Sequence, residues 1–112
     1  MIKEHRSPCP IARTLDIMGD KWTLLVLRDV LVFDRKSFVE FENSVEKIPT
    51  NLLADRLKRL VEHGFLKKSA YQDKPVRYHY LPTDKGKAAL PVIWAMKEFG
   101  ETHLLRETRQ NS

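Results

Sequence analysis

Residues 49–64, PTNLLADRLKRLVEHG, decide how the rest of the chain is read. Leu53, Leu57, Leu60 and Val61 recur at helical spacing, which predicts one helix with an apolar stripe. Asn51, Asp55, Lys58, Arg59 and Glu62 fall on the opposite side, and Arg56 sits at the boundary. Thr50 suits the N-cap, and Gly64 suits the position just past the last turn. The stripe has to be covered by other helices, while the polar side carries several long hydrogen-bonding side chains. A helix held by a small core and offered to a nucleic-acid groove has this layout. So does an ordinary surface helix, and the flanking segments have to separate the two.

Upstream, Ser37-Phe38-Val39-Glu40 forms a capping box, which starts a short helix with Phe38, Phe41 and Val45 pointing inward. Residues 46–49 make a tight connection, because Pro49 disfavours a helical Ile48. Two short helices joined this way, the second amphipathic and partly basic, predict a helix-turn-helix over residues 37–64. Downstream of Gly64 the periodicity changes. FLKKSAY and VRYHYL are rich in aromatic and β-branched residues and flank QDKP, a β-hairpin with Lys74-Pro75 in its turn. Lys67, Lys68, Lys74 and Arg77 decorate it. A basic hairpin directly after such a helix reads as a wing, residues 65–82.

Further out, Cys9-Pro10 opens a helix over residues 9–18, with Pro10 at its first position and Cys9 at the N-cap. Ile11, Ala12, Leu15 and Met18 make its apolar side, and Gly19 ends it. Asp20 caps DKWTLLVLRDVLV, a helix apolar almost all round and therefore central. Residues 1–8 are polar and expected to fray. After the wing, Thr83 caps a last helical segment, residues 84–104, with Asp84 suited to its first turn. Pro91 falls inside this pattern and predicts a kink or a break. Val92, Ile93, Met96 and Phe99 carry an apolar stripe that a small domain cannot readily cover alone.

A chain of 112 residues fits one domain with a small core, so pairing with a second copy would help. No apolar run is long enough to span a membrane and no signal peptide opens the chain, which points to the cytoplasm. A single cysteine excludes an internal disulfide and a cysteine metal cluster. The formal charge is +5, and its placement says more than its sum. Residues 56–87 hold nine Lys or Arg against three Asp or Glu, whereas the remainder holds eleven against twelve. A polyanion is the natural partner of so basic a segment, with a solvated face as the plain alternative.

Enzymatic chemistry has little support. His5, His63, His79 and His103 show no metal-binding spacing, and there is no Gly-rich phosphate loop. Asp16 and Asp20 straddle a helix break, as a solvated charge and a cap rather than an acid–base pair. Neither a metal nor a cofactor is expected. Trp22 reads as core and Trp94 as core or interface, more readily than as an aromatic ligand cage.

Taken in order, these residues resemble the HxlR-type transcriptional regulators, a bacterial group within the MarR-like winged helices. The resemblance runs from about Cys9 to His103. It is carried by Cys9-Pro10, Met18-Gly19-Asp20-Lys21-Trp22-Thr23, and Phe38 with Phe41 in an F-x-E-F pattern. Leu53 with Arg56-Leu57, Gly64-Phe65-Leu66, Tyr80, Thr83, Gly86, Pro91, Phe99-Gly100 and His103 complete it. Pro82 departs from the pattern, where leucine is usual; lacking a backbone donor, it suggests an early strand end or an edge. The resemblance implies an α+β winged helix-turn-helix that dimerises through its first and last helices. It also implies a recognition helix in the major groove, a wing near the minor groove and, in some relatives, an oxidant-sensing cysteine in the Cys-Pro pair.

The expected function is that of a cytoplasmic, homodimeric transcription regulator, by default a repressor, on a pseudo-palindromic site in double-stranded DNA. Thr50, Asn51, Asp55, Lys58 and Arg59 are candidates for reading bases, since Asn matches adenine and Lys or Arg matches guanine. Arg56, Lys67, Lys68, Lys74 and Arg77 are candidates for phosphate or minor-groove contact. Ile11, Leu15, Val92, Ile93, Met96 and Phe99 are the expected dimer contacts. Cys9 lies where unpaired amides and the helix dipole favour a thiolate, with Lys3, Arg6 and Arg13 near in sequence. An oxidant, an electrophile or another small molecule is the effector class. The alternative is a thiol-based sensor or interaction module whose basic face meets an acidic protein or RNA.

Overall fold

A computed structural model of the chain describes residues 7–105; the expected frayed start, with Lys3, His5 and Arg6, falls almost wholly outside them. Helix α1 (Pro10–Met18) begins as its sequence dictates, with Cys9 extended at the N-cap and Pro10 in the first turn. Helix α2 (Thr23–Leu31) follows after a short turn. Trp22 holds the N-cap position of α2, and the Asp20 carboxylate supports the helix start from two residues ahead, accepting the backbone amides of Trp22 (3.0 Å) and Thr23 (3.1 Å) and the Thr23 hydroxyl. Helix α3 (Phe38–Glu42) opens on the full capping box of Ser37 and Glu40.

The core forms where α2 meets helix α4 (Thr50–Glu62). Leu27 and Leu53 have no exposed surface, and Phe41, Leu57, Leu60 and Leu66 are nearly as enclosed. Each fully buried side chain of this size stabilises the fold by about 1.5–3 kcal/mol before chain entropy is counted. Helix α4 stops in a Schellman motif: Gly64 takes φ +80°, the Gly64 amide donates to Val61, and the Phe65 amide donates to Leu60. Phe65 and Leu60 are both buried in the core cluster, which suits the apolar pair of this motif.

Strands β1 (Leu66–Asp73) and β2 (Val76–Pro82) make the antiparallel hairpin, and Lys74-Pro75 occupies its tip. A third, very short partner was not foreseen. Ser37 bridges His79, and the Tyr80 amide donates to the Lys36 carbonyl at 2.7 Å, which ties the hairpin base to the start of α3. Pro82 does not shorten β2. It pairs with Leu66 as the last residue of the strand, and the Thr83 amide continues the connection to Phe65. Thr83 caps α5 (Asp84–Lys87) through its hydroxyl. The helix is then interrupted at residues 88–89, and Pro91 lies in the first turn of α6 (Leu90–Phe99), where its missing N–H costs nothing. A wider π-helical turn, Gly100–Leu105, prolongs α6.

Three sequence expectations are corrected. Thr50 is not the N-cap; Pro49 holds that position without a side-chain bond, and the Thr50 hydroxyl donates to Glu42 instead. Val45 does not point inward. Helix α3 ends at Glu42, so Val45 falls in the connection and is 86% exposed, while Ile48 fills the inward position. Ile93 is not on the free face of α6: it is buried in the chain's own core, into which α6 packs beside α2.

A polar network also ties the helix-turn-helix to the centre. Asp29 is buried and pairs with Arg28 (2.8 Å) and Arg35 (3.0 Å), and Arg28 reaches Glu46 in the α3–α4 connection with two bonds of 2.8 Å. Those bonds from Arg28 outweigh the cost of burial and hold the Glu46 carboxyl down at about 2. For Asp20, burial pushes the carboxyl up. The hydrogen bonds from Thr23, Arg56 and the Trp22 amide win, and it lies well below the usual carboxylate range. A carboxylate depressed in the folded state adds stability that is complete above its unfolded value and is lost as pH falls through its folded value. The thermal midpoint should therefore hold at neutral pH and fall progressively between about pH 4.5 and pH 2. Glu46→Gln and Asp20→Asn should each lessen that fall. Calorimetry across this range checks it, and a wild-type midpoint equal at both ends would contradict it.

Candidate nucleic-acid interface

Because Leu53, Leu57 and Leu60 face the core, α4 turns a defined face outward. Thr50, Asn51, Asp55 and Lys58 are exposed on it, together with Ala54 and Glu62. The N-terminus of α4, with Thr50 and Asn51, is also the positive end of its dipole. At the other end, Lys85 donates to the His63 carbonyl at 2.8 Å and complements the negative end.

Two of the expected DNA contacts in α4 are placed differently. Arg56 is not a solvated cation at the rim. Its side chain is 15% exposed; Nε donates to Asp20 at 2.8 Å and Nη1 to Asp55. Arg59 is half-buried, and its guanidinium points back to the Ile17 carbonyl at 3.4 Å. Both lie on the flank of α4 that faces the end of α1. The exposed face therefore carries Lys58 with Asp55 and Glu62, and is not itself basic.

A cluster of positive charge lies on the wing. Lys67, Lys68, Lys74 and Arg77 are all exposed. The hairpin that holds them is stiffened by its own side chains. Lys68 lies 4.3 Å above the Tyr78 ring, Tyr71 stacks on His79 at 4.1 Å, and Gln72 ties the tip through the Pro75 carbonyl. A polar, hydrogen-bonding helix face beside a cationic hairpin divides two tasks. The first can match base edges; the second can neutralise phosphates.

The remaining site residues lie apart from this surface. Cys9 is exposed at the N-terminus of α1. Ile11 (71%), Leu15 (52%), Met96 (54%) and Phe99 (60%) expose much apolar surface, and Val92 does so to a lesser degree. Trp94 is exposed beside an apolar groove of about 460 Å³ between α2 and α6, whereas Trp22 packs against the core. No group of three or more His, Cys, Asp or Glu among the described residues could hold a metal ion. No helix among them is long and apolar enough to cross a membrane. Sequence reasoning missed Asp20 as the partner of Arg56 and the Asp29 network. The only available signal was an acidic residue inside an otherwise apolar helix.

The comparisons with known proteins agree with this architecture. The HxlR-like helix-turn-helix family matches residues 17–108. The HTH-type transcriptional regulator YdeP of Bacillus subtilis is 35% identical over 95 residues, which cover 85% of this chain and 73% of that protein. The crystal structure of the transcription factor PA1607 superposes with a TM-score of 0.77 at 37% identity, over 88% of this chain and 68% of the other. The redox regulator HypR in its reduced form superposes with a TM-score of 0.78 at 27% identity, over 93% of this chain and all of the other. The chain belongs to the HxlR-like helix-turn-helix family of transcriptional regulators, in the MarR-like winged-helix group.

Proposed function

We propose that the protein is a sequence-specific DNA-binding repressor that occupies a pseudo-palindromic operator as a homodimer in the cytoplasm. The observation that carries this reading is the pairing of an exposed polar face on α4 with four exposed cations on the adjoining wing. Thr50, Asn51, Asp55 and Lys58 read bases from the major groove, and Lys67, Lys68, Lys74 and Arg77 bind the backbone or the minor groove. The uncovered apolar residues Ile11, Leu15, Val92, Met96 and Phe99 support pairing of two copies through α1 and α6. Two-fold symmetry then sets the recognition helices about 34–36 Å apart, one turn of DNA. Binding across a promoter blocks transcription.

The division between base and phosphate contacts is open to test. Lys67→Ala or Lys68→Ala should weaken binding to every duplex and lower the salt slope by roughly 0.9 for each phosphate no longer neutralised. Asn51→Ala should instead relax the preference at one base position, at about 1–3 kcal/mol. Fluorescence anisotropy over a salt series separates the two. If both classes of variant change only the slope, α4 is not the reading element, and a basic face meeting RNA or an acidic protein becomes the better account.

Cys9 is the proposed sensor. Its exposure and its place at a helix N-terminus support this, as does similarity to HypR, itself named a redox regulator. Modification of the thiol by an oxidant or an electrophile, at a helix that pairs two subunits, would tilt them and spoil the spacing of the recognition helices. Cys9→Ser should keep full DNA affinity and lose its response to diamide or a quinone, measured by gel shift. Identical loss of binding in the wild type and the serine variant, or no loss in either, would make Cys9 structural.

A further inference from the structure

We propose that Arg56 is a positioning residue which, through Asp20, fixes the recognition helix against the α1–α2 junction, and that it makes no contact with DNA. This inference rests on the DNA-binding reading above. The Asp20 carboxylate, in the turn between α1 and α2, is a single node that joins the start of α2 to α4. It accepts the amides of Trp22 and Thr23 at the start of α2 and the Thr23 hydroxyl, and it accepts a bond from Arg56 Nε on the flank of α4 at 2.8 Å. The other side of the same guanidinium bonds Asp55, one residue back on α4. The cation therefore lies between two carboxylates with little exposed surface and has no free charge to offer a phosphate.

The planar guanidinium makes this a directional tie, which a lysine on the same stem cannot reproduce. Arg59 adds a second, longer contact one turn further along, from the same flank to the Ile17 carbonyl at the end of α1. Leu53, Leu57 and Leu60 resist separation of α4 from the core, but apolar contacts are poorly directional and allow rotation about the helix axis. The polar tie on one flank opposes that rotation. Asn51, Asp55 and Lys58 lie within a turn or so of Arg56, so a small roll of α4 would shift all of them relative to base edges. The tie also makes the aim of α4 depend on where α1 ends.

The test compares Arg56→Gln, Arg56→Lys, Asp20→Asn and the Asp20→Asn/Arg56→Gln pair with the wild type. Asn at position 20 keeps an oxygen for capping. The probes are a duplex enriched by the wild-type chain from a randomised pool, and poly(dI-dC) for non-specific affinity. Binding is read below the unfolding midpoint of every variant. Each single variant, lysine included, should bind the enriched duplex roughly tenfold more weakly. The salt slope and the affinity for poly(dI-dC) should not change, and the double variant should lose no more than the weaker single one. A slope lowered by about 0.9 in Arg56→Gln, with equal losses on both probes and rescue by lysine, would make Arg56 a phosphate contact and overturn the inference. Unchanged affinity in all variants would overturn it as well. A wild-type chain that enriches no duplex would remove the DNA-binding reading and this inference together. That result is distinct from the first two, in which the wild type binds specifically.

Discussion

The contact on which the rest depends is the seating of Leu53, Leu57 and Leu60 of α4 against Leu27 and the other buried residues of the core. Those three residues fix which side of α4 is lost to the interior, and so which side remains for a partner. They also set the direction in which the chain leaves. The Schellman stop at Gly64 and the burial of Phe65 and Leu66 send the hairpin out beside the helix rather than away from it. The bridge from Ser37 to His79 then anchors the base of the hairpin to the start of α3. Face, wing and helix-turn-helix connection are thus linked into one arrangement organised from a small apolar centre.

Charge is distributed over this frame in a way that residue type alone conceals. The segment from Arg56 onward is basic in sequence, but two of its cations are turned inward from α4 toward the end of α1. The outward face of α4 is left polar with little net charge, and the wing carries four of the segment's exposed cations. A reading surface gains from this arrangement. Strong positive charge on the recognition helix would favour any duplex equally, whereas hydrogen-bonding groups with modest charge discriminate between base edges. In the proposed DNA-binding reading, phosphate affinity placed on the hairpin would separate strength from selectivity.

Much of the fold was legible in the sequence, because its signals are local. The capping box at Ser37, the Pro49 break, the Gly64 stop and the change of periodicity after it each act within a few residues. The errors fall where a local signal competes with another or where the partner is remote. Thr50 is not the cap because the helix begins one residue earlier, after Pro49. Val45 fits the helical spacing of Phe38 and Phe41, but α3 ends before reaching it. Ile93 matched the stripe of Val92, Met96 and Phe99, although its place on α6 turns it to the core. The Arg56 partner, Asp20, is thirty-six residues away, and no periodicity connects them. For the same reason the basic segment was legible in the sequence, but not which of its cations turn inward.

The central claim is that two copies of this frame present their α4 faces to successive turns of one duplex. Hydroxyl-radical footprinting of the full chain on the DNA flanking its own gene tests this most directly. The account predicts two symmetric protected tracts with centres about one helical turn apart, about 10–10.5 base pairs or a small multiple of it. A single tract, or uniform protection without a boundary, would contradict it.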